Sequence, residues 1–202
     1  MSFTEQKFTI PPLKGISQEN IAEHLKLYAG YVKNANSILE KIPEYNGYAE
    51  KDLFAPYVVG ELSRRFSFEY NGMRNHEVYF ASLEWGATSL AKNGSLHAAI
   101  EKNFGSFDAW LATFKKSAAA IRGIGWMVLW YDRAVDKLIS SWVDEQHLGQ
   151  LNGCKTILAL DMWEHAYVAD YQPSGKKNYI EDFFANLNWR VVEENFASAF
   201  SK

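Results

Sequence analysis

Asp161 and His165 stand four residues apart where an apolar run, "LALD", gives out, with Trp163 and Glu164 between them. A carboxylate and an imidazole at that spacing are metal-ligand types. The chain holds four further histidines, two that bear on them and two that can be set aside. His24 lies beside apolar Ile21, Leu25 and Tyr28, and His76 opens an aromatic stripe, "NHEVYF". His97 and His147 carry no comparable context and read as ordinary surface or hydrogen-bonded residues. Three imidazoles with one carboxylate suit a divalent or trivalent first-row metal such as Mn, Fe or Zn. Spacing alone leaves open whether His24, His76, Asp161 and His165 converge.

The elements that must position these residues can be read from periodicity. Prolines 11 and 12 make "IPPLKG" an extended lead-in. Residues 16–42 form a long predicted helix, capped by Ser17, with apolar residues at 21, 25, 28, 32, 35 and 38. "PEYNGYAEKD" at 43–52 is expected to break it. A second helical region runs from 53–66 through 75–90, so the two make a helical hairpin. "AKNGS" at 91–95 marks a boundary. Two short helices follow, 95–104 and 106–122, the second placing Phe107, Trp110, Phe114, Ala118 and Ile121 on one stripe, with Gly123 to end it. The pattern then turns to strands. "GWMVLWYD" and "KLISSWV" flank "RAVD" as a hairpin, "KTILALD" reads as a third strand, and 178–200 reads as one closing helical segment. The expected fold class is α+β, an N-terminal helical hairpin over residues 1–90 and a C-terminal α/β domain over 91–202 with a small three-stranded antiparallel sheet.

Composition bounds the function. The chain has 202 residues, 48% hydrophobic, 22% charged, with a net charge of −3. Nothing in that balance attracts nucleic acid or an anionic membrane, and no stretch reaches the ~20 apolar residues of a transmembrane helix. The N-terminal segment lacks the basic start and apolar block of a signal peptide. Cys154 is the single cysteine, which excludes an intrachain disulfide and a cysteine-based zinc site. A cytoplasmic location fits these features. Seven Trp and an aromatic fraction of 15% suggest a tightly packed interior or a pocket walled by rings.

Six segments together carry a family resemblance: "DMWEHAY" at 161–167, "NHEVYF" at 75–80, "GIGW" at 123–126, "ISQENIAEH" at 16–24, "YVKNAN" at 31–36 and "NLNW" at 186–189. Occurring along the chain in the family's order, they resemble those of the iron/manganese superoxide dismutases, nearly end to end. The resemblance implies disproportionation of superoxide to dioxygen and hydrogen peroxide at one Mn or Fe per subunit, bound by His24, His76, Asp161, His165 and a solvent molecule. It also implies a metal held between the helical hairpin and the α/β domain. Glu164 would cross to a second copy and hydrogen-bond its ligand His, giving a homodimer or tetramer built through the region of Glu164 and His165. Trp163, Trp126 and Phe80 would wall the site, the family usually having Trp where Phe80 stands, and Asn75 precedes the second ligand.

The same resemblance addresses the metal. Iron-type members usually place a solvent-holding Gln four residues before the second ligand, where this chain has Gly72. Manganese-type members place it on the C-terminal sheet, where Gln146 matches. The implied cofactor is therefore Mn, with Fe or dual use as the alternative. Tyr31 matches the family's gateway Tyr. Tyr28 stands where a His is usual, and the helix offset lets Tyr28 and Tyr31 both face the site. Val168 replaces a Tyr that normally bonds that His, so the expectation is a rewired gate. Lys26 and Lys177 are candidates for drawing in the anion. The rival readings are a non-catalytic structural or interaction protein that keeps the fold, and a mononuclear iron oxygenase, which a third His ligand disfavours.

Overall fold

A computed structural model describes residues 2–48 and 51–200. Residues 49 and 50, inside the predicted break, and the extreme ends of the two predicted parts lie outside the described residues. Residues 2–13 form neither helix nor strand, a bend follows at 14–16, and helix α1 then spans Gln18–Asn46. Its start follows from Ser17, whose side chain accepts the Asn20 N–H at 3.1 Å. The helix continues three residues beyond Pro43 rather than stopping before it. So near the C-terminus the ring forfeits only one backbone bond, and Gly47 N–H closes the end on Pro43 O and Glu44 O.

Helix α2 spans Ala55–Ala81, with Pro56 in its first turn. It ends nine residues earlier than the periodicity suggests. Trp85 and Gly86 both adopt positive φ, 62° and 89°, which turns the chain, and Trp85 N–H bonds back to Thr9 O. The two long helices pack on one another. Their buried residues, Ile21, His24, Tyr28, Val32 and Ala35 on α1 and Gly72, Met73, His76, Tyr79 and Phe80 on α2, recur every three or four positions.

Helices α3 (Ser95–Phe104) and α4 (Phe107–Ala120) follow, α4 capped by Ser106 and burying Trp110, Phe114 and Ala118. Strands β1 (Gly125–Asp132), β2 (Lys137–Asp144) and β3 (Lys155–Asp161) make an antiparallel sheet in the order β2-β1-β3. The central strand β1 is almost wholly buried, because α4 covers it on one side while β2 and β3 flank it. After β3 come a 3₁₀ turn at Glu164–Ala166, a one-turn helix α5 (Val168–Tyr171), and a second 3₁₀ turn at Pro173–Gly175. Two helices close the chain, α6 (Lys176–Asn186) and α7 (Trp189–Ser198), where the sequence suggests one. The break has a cause far along the chain. Asn188 donates its N–H to Ser82 O and its side-chain amide to Glu84 O, and its Oδ1 accepts from Thr88. It leaves the helix to satisfy the loop that follows α2. The architecture is α+β, a helical N-terminal region followed by an α/β domain with a three-stranded antiparallel sheet.

Candidate metal centre

Three elements meet at the site. Nearly two turns into α1, His24 is buried; on α2, His76 is fully buried; Asp161 ends β3, and His165 lies in the 3₁₀ turn beyond it. Their nearest ligand atoms all lie within 4.8 Å of one another. Asp161 Oδ2 is the hub, 3.1 Å from His165 Nε2, 3.2 Å from His24 Nε2 and 3.6 Å from His76 Nε2. The imidazole rings crowd edge to face, His24 lying 4.9 Å from His76 and 4.7 Å from His165.

This donor set fits a metal ion. Among the described residues, both ring nitrogens of His24 and Nε2 of His76 are buried without a hydrogen-bond partner of good geometry, a costly arrangement for polar atoms. His76 Nδ1 lies 2.6 Å from Gly72 O, so it carries the proton and donates, which leaves the Nε2 lone pair facing the cluster. For Asp161, burial alone would raise the carboxyl; the imidazoles of His165 and His24 outweigh it and hold it well below the usual carboxylate range. The result is an ionised carboxylate beside two imidazoles, His24 and His76, that burial biases toward the neutral form a metal requires.

A pH dependence follows. His76 is pushed down to about 3 from its ordinary 6.5, by burial first and by His24 second. Burial moves His24 in the same direction, against the pull of Asp161. A folded value below the unfolded one means that the unfolded chain takes up protons first as pH falls. The metal-free protein keeps this contribution above pH 6.5 and loses it as the pH falls from there toward 3. Thermal midpoints of metal-free protein across that range measure it, and a flat profile down to about pH 4 contradicts it.

Around the cluster, Trp126 stands directly across the sheet from Asp161. Its ring lies 5.0 Å from that of His76, and its Nε1–H donates to Gln146 Oε1 at 2.9 Å. Gln146 is fully buried and donates its own Nε2–H to the Tyr31 hydroxyl at 2.9 Å. Burial first, then Asp161 and Glu69, push the Tyr31 hydroxyl far up, so it stays protonated. The Tyr31 ring sits 5.1 Å from His76 and rests against Gly72, where an added Cβ would come within 2.6 Å of Tyr31 Cδ1. Phe80 packs on His24 at 4.8 Å, and Trp163 stacks on His165 at 5.7 Å while bonding Glu145 O. Asn75 is buried and donates to Gln146 O at 3.1 Å. Glu164 is exposed beside His165.

Tyr28 does not share this face with Tyr31. It is fully buried, but its hydroxyl accepts from Gln6 N–H at 2.9 Å and donates to Glu77 at 3.3 Å, with its ring between Phe8 and Phe80. The extended N-terminal segment, invisible to helical periodicity, draws it away. Conversely, pattern reading passed over Phe68, His147 and Gln150. The Phe68 ring is 6.1 Å from Tyr31, 6.3 Å from Trp163 and 5.7 Å from His147, with Arg65 3.9 Å above it. No local motif marks them; only the docking of the turn at 145–150 onto α2 brings them in.

Similarity to known proteins agrees with this arrangement. Residues 92–195 match the family described as iron/manganese superoxide dismutases, C-terminal domain. The chain is 34% identical over 192 residues to the Fe superoxide dismutase of Aquifex aeolicus, covering 93% of this chain and 87% of that one. It is 33% identical over 185 residues to the Mn superoxide dismutase of Mycolicibacterium fortuitum, covering 92% and 86%. With the Fe superoxide dismutase of Cupriavidus metallidurans it shares 35% over 191 residues, covering 93% and 91%.

Proposed function

The chain belongs to the iron/manganese superoxide dismutases, and we propose that within that family it is a manganese-preferring member whose ion is held by His24, His76, Asp161 and His165. The activity is the family's, disproportionation of superoxide, and the cofactor is Fe or Mn. The observation that carries the reading is the buried cluster of three imidazoles and one carboxylate with orphaned ring nitrogens. When bound, the metal supplies a one-electron couple that oxidises one superoxide and reduces the next.

The chain's own residues do the rest. The bond from His76 Nδ1 to Gly72 O fixes the tautomer that offers Nε2. Asp161 contributes the single negative charge and turns the chain through its Oδ1, which accepts Trp163 N–H at 2.7 Å. Trp126 and Tyr31 hold the two ends of the Gln146 amide, which keeps a second N–H on Nε2 free to point elsewhere. Because the Tyr31 oxygen accepts from Gln146, its own proton is available at Oη to an incoming anion or a solvent molecule. Phe80, Trp126 and Trp163 exclude bulk water. Arg65 lies over Phe68, whose ring is 6.1 Å from that of Tyr31, while Lys26 pairs with Glu23 on an exposed helix face and Lys177 lines a groove with Lys115 and Lys116.

Manganese preference rests on Gln146 supplying the amide while Gly72 supplies none. Purified protein reconstituted separately with Mn and Fe is expected to disproportionate superoxide at least tenfold faster with Mn, since outer groups tune a metal by about 10–100-fold. Equal or higher activity with Fe overturns the preference, and no activity with either overturns the function. The two-part organisation, residues 1–90 and 91–202 with the metal between, belongs to the same reading. So does self-association through exposed Glu164, which would reach His165 of the partner subunit; sedimentation of the loaded protein at a monomer mass contradicts it. Among the described residues no helix is long and apolar enough to cross a membrane. We place the protein in the cytoplasm, which cell fractionation tests.

Tyr31 carries the gate in this reading, and Tyr28, with Val168 beyond it, marks where the family's His–Tyr contact is replaced. The Tyr28 hydroxyl, pushed up to about 12 chiefly by burial, fastens the N-terminal segment. Tyr28→Phe removes both hydrogen bonds of the hydroxyl, each worth about 1 kcal/mol, a drop of roughly 4–8 °C in thermal midpoint, with turnover within about twofold of the parent. A tenfold loss of turnover in Tyr28→Phe, or a changed sensitivity to hydrogen peroxide in Tyr28→His relative to the parent, would return Tyr28 to a direct role.

A further inference from the structure

Gln146 sits on an exposed turn, yet its side chain must stay fixed to a fraction of an ångström beside a metal held by α1, α2 and β3. The turn is a poor anchor by itself. Glu145, immediately before, adopts a left-handed φ of 49°, and Leu148 and Gly149, just after, are exposed. Two tethers hold its outer side, Trp163 Nε1–H to Glu145 O at 3.1 Å and the paired bonds between Asp144 and Leu148. Neither reaches Gln146.

A third tether does. Gln150 Nε2 lies 3.2 Å from Gln146 O and 3.2 Å from Asn75 Oδ1, and Asn75 Nδ2 lies 3.1 Å from the same Gln146 O. Three amides close a ring in which the Gln146 carbonyl takes two donors and Asn75 gives one and takes one. Asn75 precedes the ligand His76 on α2 and is buried, so the ring ties the Gln146 backbone to the ligand helix. Gln150 orients the ring from outside. It is half-buried and lines a cleft of about 820 Å3 together with Arg74, Lys155 and Asn195. Without its N–H, Asn75 Oδ1 loses a partner, the amide can turn over, and Gln146 O keeps one donor or none.

We propose that Gln150 is a positioning residue for the dismutase centre, setting the distance of Gln146 from the metal through Asn75. This rests on the function given above but is read on separate quantities. The test uses metal-loaded protein carrying Gln150→Met, which keeps length without donors, and Gln150→Glu, which sets a carboxylate against two oxygens. Asn152→Ala, on the same cleft but outside the ring, is the control.

The expected result is a shifted midpoint potential of the metal in both Gln150 variants and a loss of turnover of roughly tenfold or less, since Gln150 acts one contact beyond the groups that tune a metal directly. Asn152→Ala leaves both unchanged. A crystal structure of Gln150→Met is expected to show the 2.9 Å contact between Gln146 Nε2 and Tyr31 lengthened or lost. In a Gln146→Ala background, Gln150→Met adds nothing, because its effect travels through the missing amide; a merely structural role would add in full. An unchanged potential with Gln146 in place overturns the inference, as does full additivity. Failure of the parent protein to disproportionate superoxide would strike the functional reading alone, because Gln146 geometry and metal potential are measured without it.

Discussion

Asp161→Ala protein is expected to purify with little metal and to lose dismutation by a factor on the order of a thousand or more. Changing a group that merely supports a ligand costs about 10–100-fold, and in the proposed site Asp161 is itself a ligand and the one anion among the four donors. Its Oδ2 is the atom that all three imidazoles approach, at 3.1 to 3.6 Å. Remove it and the remaining donors are neutral, so a divalent or trivalent ion enters a buried site with no compensating charge. Stability should follow. A ligand at a thousand times its dissociation constant adds about 4 kcal/mol. For a chain of this size each kcal/mol moves the midpoint by roughly 2–4 °C, so loss of metal alone is a fall of about 8–16 °C.

Asp161→Asn separates charge from shape, because the amide oxygen can still accept the Trp163 N–H that Oδ1 accepts in the parent. It should retain the fold more fully than Asp161→Ala while remaining poor in metal. Metal content by mass spectrometry, a superoxide assay and calorimetry read all three effects. A fully loaded Asp161→Ala protein with a tenth or more of parent activity, an order-of-magnitude bound set by that outer-group range, would remove Asp161 from the ligand set.

What the sequence made legible depended on whether the cause was local. The Ser17 cap and the spacing of Ile21, Tyr28, Val32 and Ala35 are local, and α1 begins where they place it. Strands β1 and β3 are apolar runs bounded by turn residues, and their limits coincide with the expected ones. The split between α6 and α7 is not local, since Asn188 answers to Ser82, Glu84 and Thr88 about a hundred positions earlier. The same distinction runs through the site. Asp161 and His165 announce themselves within five residues. Tyr28 has a helical position consistent with the site, but the backbone of Gln6 decides where its hydroxyl goes. Gln150 is unreadable in one dimension, because nothing in "EQHLGQ" says that the turn docks on Asn75.

Gly72 gives the other large effect, and it bears on which metal the protein uses. A Cβ at position 72 would lie 2.6 Å from Tyr31 Cδ1 and 2.8 Å from Cε1, far inside contact distance and against a ring that has little room. Tyr31 must swing away, and its hydroxyl is the acceptor that holds Gln146 Nε2 at 2.9 Å. For Gly72→Ala two terms oppose. Ala in a helix interior gains about 1 kcal/mol over Gly, while overpacking costs about 1–3 kcal/mol. The net is a modest loss of stability, roughly 0–2 kcal/mol, with a fall in turnover of about 10–100-fold from the displaced Tyr31–Gln146 pair. The split is diagnostic, since activity drops far more than folding does. Gly72→Gln combined with Gln146→Ala moves the amide to the other side of the site, and a metal preference set only by where an amide comes from would then favour Fe with activity restored. Here the Tyr31 ring fills the space such a side chain needs, so the double variant is expected to stay at least tenfold below the parent with either metal. Full activity with Fe would show that Tyr31 can yield and that Gly72 is a bystander; persistent loss with both metals would make the Tyr31–Gly72 contact the reason that the amide comes from the sheet.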